Sequence, residues 1–337
     1  MRFPRFIKKG DTIMVSAPSL NITKELDIVR CNLAIKQFLK HGLIIKEMEL
    51  VREIPKDSIV NLANDRALEF TECFLDDSSP FILCASGGDF ANEVLSCLDF
   101  EQLKDGLKWV QGYSDITNII YPITTILEIA TVYSENYKSF GMKEWHESLE
   151  LNLDVLMGET IQQESFDLYQ QEKIERVTGD EPFNLVNNVE WKTISGHKEI
   201  ISGRLLGGCL DLLVKIVGTK FDHTCEFIEK YKNDGIVWAF DMYSTSFTKL
   251  HSDLWQMENA GWFKYASGFV FGRPLKAHEE YDKDYVDAIK RILNKYNKPI
   301  IFDACIGHCP PQLTWIIGSL CEIECGQGKG ILRQYFL

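Results

Sequence analysis

The chain has 337 residues, and a prior of roughly 150 residues per domain suggests two domains. Its composition, with 45% hydrophobic and 25% charged residues, excludes an intrinsically disordered or fibrous protein. With 36 basic and 49 acidic residues the formal net charge is -13, which would repel a phosphate backbone, so a nucleic-acid polymer is not an expected partner.

The N-terminal stretch MRFPRFIKKGDTIMVSAPS has no apolar segment long enough for a signal peptide before its lysines. No apolar run approaches the roughly 20 residues that cross a bilayer. The 10 cysteines lie mostly within apolar segments such as FILCAS, a pattern typical of reduced core thiols. We therefore expect a cytoplasmic protein with no membrane partner.

The first half of the chain alternates strand and helix patterns. DTIMVSAP predicts a buried strand, and LIIKEMEL predicts the next one. Between them an amphipathic helix is predicted, with a buried face made of Leu26, Val29, Leu33 and Phe38. A helix through IVNLANDRALEFTECFLDD, the strand PFILCAS, a GGDF turn, the strand KWVQG and a helix from about Asp115 follow. Strands separated by such helices pair in parallel.

The second half begins where the pattern weakens into a polar stretch and then resumes at GRLLGGCLDLLVKIVG. The strands IVWAF, GFVFG and PIIFDA alternate there with helices, one of which carries Leu250, Leu254 and Met257. We therefore predict an α/β protein with the active site between two domains. An N-terminal domain over 1–157 has a mostly parallel sheet flanked by helices, a bridging segment covers 158–196, and a second α/β domain covers 197–337.

Ser114 is the candidate nucleophile. It follows the strand KWVQG and precedes a helix, where the helix N-terminus stabilises negative charge. The G-x-S-x-G pattern of α/β hydrolases is only half met, because Ile116 stands at the second glycine position. Serine is also a preferred helix cap, so a capping role remains the alternative.

A serine nucleophile needs a base and an orienting acid. His308 in FDACIGHCPP follows a predicted strand and is the candidate base, with a strand-end histidine bonded to the backbone as the alternative. Asp241 follows the strand GIVWAF and ranks first as the acid, although it could instead cap a helix. Asp303 also ends a strand, but it could merely shape the loop before His308.

A metal site near the C-terminus is a competing interpretation. Its ligands would be Cys305, Cys309, Cys321 and Cys325, with His308 among them. The spacing is C-x3-C rather than the C-x2-C of zinc ribbons, and apolar residues surround the last pair, so we do not expect zinc. Catalysis by Cys84 or Cys209 is not favoured either, because neither has an evident neighbouring base.

These residues lie in motifs that resemble the serine peptidase family of LD-carboxypeptidases and microcin C immunity peptidases. The resemblance runs nearly end to end through GDTIMVSAPS, ASGGDFANEVLSCLDF, QGYSDITNI, GRLLGGCLDLL, LWQMENAGWF, GFVFGR and CIGHCPPQLTWIIGS. The segment VYSENYKSFGM is closer to the microcin-immunity branch. The resemblance implies no metal and no organic cofactor. The family forms homodimers, so a homodimer is expected here by resemblance.

The resemblance implies Ser114 as nucleophile and His308 as base. The family's acid is a glutamate whose place falls on Asp241, while the other possible register gives Phe240, which cannot serve. The two glycines in CASGGDF could bring main-chain N–H groups to an oxyanion, although such a pair is more often a tight turn. The family's oxyanion donors fall on the N–H groups of Asp115 and Gly88.

Three departures from the family pattern are evident. Aspartate at 241 is one methylene shorter than glutamate, roughly 1.5 Å of reach. Glu135-Asn136 replaces a Gly-Pro pair, and Cys209 replaces an asparagine. The substrate-binding candidates are Gly87, Tyr133, Glu135 and Cys209.

The expected activity is cleavage of an amide bond in a small peptide-like substrate through a Ser-His-Asp triad. The branch resemblance favours a microcin C-like peptidyl or aminoacyl nucleotide over the L,D-amide of a muropeptide. A noncatalytic ligand-binding homologue is the alternative from a different class.

Overall fold

In a computed structural model, which describes residues 1–55 and 59–336, the chain divides into two compact units. The first comprises Met1–Thr160 and Lys173–Phe183, and the second comprises Ile161–Glu172 and Asn184–Leu337. Residues of the predicted bridge, 158–196, therefore belong to both units. Leu337, the end of the predicted C-terminal domain, lies outside the described residues.

The first unit is built on parallel strands in the order β5-β4-β3-β1-β2. The strands are β1 (Thr12–Ser16), β2 (Ile44–Glu47), β3 (Phe81–Cys84), β4 (Trp109–Gly112) and β5 (Thr131–Tyr133). The helices are α1 (Glu25–Lys40), α2 (Ala63–Leu75), α3 (Ala91–Leu95), α4 (Phe100–Leu103), α5 (Thr117–Leu127) and α6 (Glu147–Met157), and 3-10 turns cover Glu49–Val51, Ser114–Ile116 and Tyr137–Phe140. Strands β3, β4 and β5 are buried along their whole length, as expected for parallel strands covered on both faces.

The face that α1 buries differs from the predicted one. Leu26, Val29 and Leu33 are only half-buried, and the buried residues are Arg30, Cys31, Ala34, Gln37 and Phe38. A buried arginine is tolerated here because its guanidinium donates to the carbonyls of Gly179 and Glu181, each at 3.0 Å. These bonds join helix α1 to the segment Lys173–Phe183, the later stretch of chain that belongs to the first unit.

The second unit contains an eight-stranded mixed sheet in the order β6-β18-β17-β10-β11-β13-β15-β9. The strands of that sheet are β6 (Gln162–Glu164), β9 (Lys192–Thr193), β10 (Glu199–Cys209), β11 (Ile236–Asp241), β13 (Ala266–Gly272), β15 (Ile300–Ala304), β17 (Leu320–Gly326) and β18 (Lys329–Tyr335). The same unit also contains the short strands β7 (Leu168–Tyr169), β8 (Asn187–Asn188), β12 (Ser244–Ser246), β14 (Lys276–His278) and β16 (Trp315–Ile317), which lie outside that sheet. Its helices are α7 (Leu210–Ile216), α8 (Thr224–Lys230), α9 (Phe247–Asn259) and α10 (Tyr285–Leu293), followed by a 3-10 turn at Asn294–Tyr296.

The central strands β10, β11, β13 and β15 run parallel, so their carboxyl ends share one edge of the sheet. Open α/β sheets bind ligands at such an edge. Helix α9 buries Leu250, Leu254 and Met257, as its periodicity predicts. Both units combine sheets with flanking helices, which confirms the predicted α/β class. Among the described residues, no helix is both long and apolar enough to span a membrane.

Candidate active site

Ser114 lies in a sharp turn between strand β4 and helix α5. The chain leaves β4 at Gly112, and Ser114 opens the 3-10 turn that leads into α5. Its φ of 62° is in the left-handed region, which residues other than glycine adopt at a cost of about 1 to 3 kcal/mol. The N-cap of this turn is Tyr113, so the alternative of Ser114 as the cap does not describe the structure. Strained backbone of this kind is concentrated at functional sites.

The glycine loop after β3 passes directly beside Ser114. A Cβ added to Gly87 would lie 3.1 Å from the Ser114 Cβ and 3.4 Å from its Oγ. At Gly88 an added Cβ would lie 2.5 Å from the Ser19 Oγ and 2.6 Å from the Leu20 Cγ. A side chain at position 87 would therefore crowd the serine, and one at position 88 would clash with the segment that follows β1.

The Asp115 carboxylate is fully buried and braces the serine turn. It accepts hydrogen bonds from the Ser19 hydroxyl at 2.5 Å, the Ala91 N–H at 2.8 Å and the Asn118 amide at 2.9 Å. Such bonds to a charged acceptor contribute about 1.5 to 3 kcal/mol each. The side chain thus ties the start of α3 and the segment after β1 to the turn that carries Ser114.

Residues at the end of β5 and just after it contact the serine turn and the strand before it. The Tyr133 hydroxyl accepts the Ser114 N–H at 3.1 Å. Glu135 is buried, and its carbonyl accepts the Gln111 side-chain amide at 2.9 Å. The Asn136 Oδ1 accepts the Tyr113 N–H at 3.2 Å. Of the Glu135-Asn136 pair that replaces the family's Gly-Pro, Asn136 therefore contacts the serine turn and Glu135 contacts the strand that precedes it.

In the second unit Asp241 and His308 form a close pair. Asp241 ends β11 with no exposed surface, and the His308 side chain is 8% exposed. The His308 Nδ1 lies 2.8 Å from one Asp241 carboxylate oxygen and 3.1 Å from the other, which also accepts the His308 main-chain N–H at 3.2 Å. A neutral imidazole that donates from Nδ1 to a carboxylate presents Nε2 as a proton acceptor. The shorter aspartate therefore reaches the imidazole.

Gly307 makes this pair possible, and sequence reasoning missed it. Its φ of +91° is left-handed, and an added Cβ would lie 1.7 Å from the Asp241 Oδ1, so no other residue fits. Its N–H donates to the Gln312 side chain at 3.1 Å. The glycine directly before the histidine in CIGHCPP was the available signal.

Tyr243 was also missed. Its ring packs edge-on against the His308 imidazole at 4.8 Å, and its N–H donates to the Asp211 carboxylate at 3.1 Å. The sequence offers no pattern that would have indicated this contact, because the two residues are brought together by loops that follow different strands.

Asp303, the second candidate acid, has other partners. Its carboxylate accepts the Tyr285 hydroxyl at 2.6 Å and pairs with the Lys192 ammonium at 3.1 Å. The main chain at Asp303 is left-handed, with a φ of 59°. The residue therefore shapes the end of β15, and the acid beside His308 is Asp241.

Cys209 completes a group of three ligating side chains in the second unit. It is the Cα partner of Asp241 across the parallel strands β10 and β11. The ligand atoms of Cys209, Asp241 and His308 all lie within 4.8 Å of one another. Burial raises the pKa of the Cys209 thiol, and the carboxylates of Asp241 and Asp211 raise it further, so the thiol is neutral.

The four late cysteines do not form a comparable group. In the part of the chain that the structure describes, the trio of Cys209, Asp241 and His308 is the only cluster of three or more potential metal ligands. The Cys305 sulfur instead accepts the Trp191 indole N–H at 3.3 Å. The Cys84 thiol, the other cysteine weighed as a nucleophile, is buried, and burial raises its pKa.

Comparison with known proteins identifies the family. Models of the LD-carboxypeptidase N-terminal and C-terminal domains match residues 13–134 and 202–323. The chain belongs to the LD-carboxypeptidase family. This confirms the resemblance seen in its motifs and makes the protein a serine-type carboxypeptidase, a hydrolase by class.

Two related carboxypeptidase sequences match this chain over almost its whole length. "Putative carboxypeptidase YocD" of Bacillus subtilis is 24% identical over 96% of each chain. "Probable murein peptide carboxypeptidase" of the same species is 22% identical over 98% of this chain and 97% of the relative.

Solved structures show the same fold. An MccF-like protein from Bacillus anthracis superposes with a TM-score of 0.79 at 22% identity, covering 99% of this chain and 100% of that chain. The microcin C7 self-immunity protein MccF superposes with a TM-score of 0.80 at 18% identity, covering 99% and 98%.

Proposed function

We propose that the protein is a serine amidohydrolase in which Ser114, His308 and Asp241 act as nucleophile, base and orienting acid. The observation that carries the proposal is the buried Asp241 carboxylate 2.8 Å from the His308 Nδ1. That contact selects the tautomer protonated on Nδ1, in which Nε2 is the proton acceptor that a general base requires. The strained left-handed turn at Ser114 supports the role of the serine.

In the proposed reaction the Ser114 hydroxyl attacks the amide carbonyl while the His308 Nε2 accepts its proton. The Asp241 carboxylate stabilises the imidazolium that forms. Main-chain N–H groups of Asp115 and Gly88 donate to the tetrahedral oxyanion. The imidazolium then protonates the leaving amine, and water, deprotonated by the same imidazole, hydrolyses the acyl-serine.

For the substrate we propose a peptidyl or aminoacyl nucleotide of the microcin C type. Support comes from related folds: MccF was solved with aspartyl sulfamoyl adenosine and with glutamyl sulfamoyl guanosine, and an MccF-like protein of Streptococcus pneumoniae was solved with AMP. Gly87, Tyr133, Glu135 and Cys209 are the proposed substrate contacts. Gly87 and Tyr133 lie beside Ser114, and Glu135 contacts the strand that leads to it.

A second candidate substrate is a murein tetrapeptide, cleaved at its L,D-amide bond. The B. subtilis relative named for murein peptides favours it. Incubating the pure protein with aminoacyl sulfamoyl adenylates and with muropeptides, followed by mass spectrometry of the products, decides between the two. Cleavage of the muropeptide alone would overturn the nucleotide proposal.

Variants test the roles of the residues. Ser114→Ala should abolish turnover, and Asp241→Asn should lower kcat by about 10⁴-fold, because the imidazole loses its oriented tautomer. Asp303→Asn is the matched control, since Asp303 also ends a strand but pairs with Lys192 and Tyr285, and asparagine tolerates its left-handed backbone. Equal losses for Asp241→Asn and Asp303→Asn would contradict the triad.

The wild-type protein also tests the noncatalytic alternative. Tight binding of an aminoacyl sulfamoyl adenylate without any cleavage product would show a ligand-binding homologue instead of an enzyme. We further propose, on family resemblance, that the protein is a homodimer. Sedimentation velocity at several concentrations should then give the mass of two chains, and a single-chain mass throughout would refute it.

A further inference from the structure

Three different metal-ligating side chains meet at the end of strands β10 and β11. Cys209, Asp241 and His308 supply a sulfur, a carboxylate oxygen and an imidazole nitrogen, all within 4.8 Å of one another. Zinc-like ions are bound in proteins by this mixture of atoms, with bonds of about 2.0 to 2.3 Å. In the proposed hydrolysis His308 transfers the proton and Asp241 stabilises the imidazolium, so the thiol takes no part in that step.

The grouping follows from strand register. Cys209 and Asp241 are Cα partners in two parallel strands, so their side chains emerge on the same face of the sheet. Gly307 then brings His308 onto the Asp241 carboxylate, because the absence of a Cβ leaves room for that contact. The three ligands are therefore held by backbone elements rather than by flexible loops alone.

The ligand atoms of the three side chains would need to move only slightly to bind an ion. Around a tetrahedral ion with such bonds, neighbouring ligand atoms lie about 3.3 to 3.8 Å apart. The His308 Nδ1 and its nearest Asp241 oxygen, now 2.8 Å apart, would separate by about half an ångström. The Cys209 sulfur, at most 4.8 Å from the other two atoms, would approach by about 1 Å, within the reach of a small side-chain rotation.

We propose that Cys209, Asp241 and His308 form a binding site for a thiophilic divalent cation, of which Zn²⁺ and Cd²⁺ are examples, and that the bound ion inhibits the hydrolase. The binding part of this proposal stands on the geometry alone. The inhibition part rests on the proposed function, because it requires His308 to be the base.

The chemistry of inhibition follows from the atoms used. The ion replaces the thiol proton of Cys209, which is released to solvent, and no electron transfer is involved. Coordination by the His308 Nδ1 lone pair leaves the single imidazole proton on Nε2. An imidazole protonated at Nε2 cannot accept the proton of Ser114, and the Asp241 carboxylate that oriented the ring is taken by the ion. Hydrolysis therefore stops while the ion is bound.

Titration with CdCl₂ tests the binding, with the ultraviolet thiolate-to-cadmium charge-transfer band as readout. The wild-type protein should take up one equivalent. Cys209→Ser and Cys209→Ala should bind at least about tenfold more weakly and lose the band, since losing even a supporting partner of a metal ligand costs 10- to 100-fold. Cys225→Ser is the matched control, because Cys225 lies in the same unit but is exposed and outside the cluster. Circular dichroism melts confirm that each variant is folded.

Two outcomes overturn the proposal: no band in the wild-type protein, or a band that survives in both Cys209 variants. Activity gives the second readout, as the ratio of rates with and without Cd²⁺ for each protein. That ratio should fall at least about tenfold for wild type and Cys225→Ser and stay near one for the Cys209 variants. Binding without any substrate cleavage would refute the proposed function and leave the metal site standing, whereas cleavage insensitive to bound Cd²⁺ would refute the inhibition.

Discussion

Gly307→Ala is the most direct test of how the acid and the base are held together. The substitution adds one methyl group, whose carbon would lie 1.7 Å from the Asp241 Oδ1, far inside contact distance. The carboxylate has no exposed surface, so it cannot move out into solvent. It must therefore rotate away from His308, and both hydrogen bonds from the histidine to the carboxylate are lost or lengthened.

The expected loss of unfolding free energy for Gly307→Ala is about 4 kcal/mol. About 1 kcal/mol comes from placing a Cβ on left-handed backbone. About 3 kcal/mol comes from two hydrogen bonds to a buried charged acceptor, taken at the lower end of their range. The loss in kcat should be about 10⁴-fold, the size of the effect of losing the orienting acid of a serine triad.

Gly218→Ala separates the two contributions. Gly218 lies in the same unit and has a φ of +76°, but a Cβ added there would meet nothing within 4 Å. It should lose about 1 kcal/mol and keep its activity. Urea titrations give the free energies, and turnover of the substrate identified above gives kcat. If Gly307→Ala matches Gly218→Ala in both stability and kcat, the steric argument is wrong.

Three further predictions concern single side chains. Ser114→Gly and Ser114→Ala should both be inactive, but the glycine variant should be about 1 kcal/mol more stable in urea, because it relieves the left-handed strain; equal stabilities would show that the turn is unstrained. Asp241→Glu should lose about 1 to 3 kcal/mol from overpacking and at least about tenfold in kcat, although glutamate is the family's acid; wild-type behaviour would show that the site has room. The hydrogen bond from the Arg5 guanidinium lowers the pKa of Asp11, so the stability that Asp11 contributes is present at neutral pH and lost as the pH falls through that lowered value. Asp11→Asn should accordingly lower the free energy of unfolding by about 1 kcal/mol at pH 7, as measured by urea titration, and this difference from wild type should shrink below about pH 4. A difference that stays constant with pH would show that the Asp11 carboxylate is not the source of the pH dependence.

Much of the secondary structure could be predicted because it depends on local patterns. Apolar runs mark β1, β3, β4 and β11, and the spacing of Leu250, Leu254 and Met257 marks the buried face of α9. The antiparallel strands β17 and β18 were not predicted. In β17 the alternation of Cys321, Ile323 and Cys325 with glutamates is a period-two signal that the sequence carries, whereas β18 buries Gly330 and Gln334 and its sequence shows no such alternation.

The buried face of α1 shows a limit of periodicity. Apolar spacing pointed to Leu26, Val29 and Leu33, but the helix buries Arg30 and Gln37 instead. Each of these polar side chains finds main-chain carbonyls from distant parts of the chain, including that of Met142. The hydropathy pattern of one helix cannot indicate hydrogen-bond partners more than a hundred residues away in the sequence. The burial of Arg30 and Gln37 could therefore not be predicted.

The sequence by itself determined which residues stand at turns and strand ends: Ser114 between a strand and a helix, and Asp241 and Asp303 each after an apolar run. It could not decide which aspartate meets His308, because both occupy equivalent local positions. The tertiary structure decided it through the left-handed Gly307, which clears the space for the Asp241 carboxylate, and through Lys192 and Tyr285, which bind Asp303. Strand ends are local properties, whereas the distance between two side chains depends on register and loop geometry across the whole sheet.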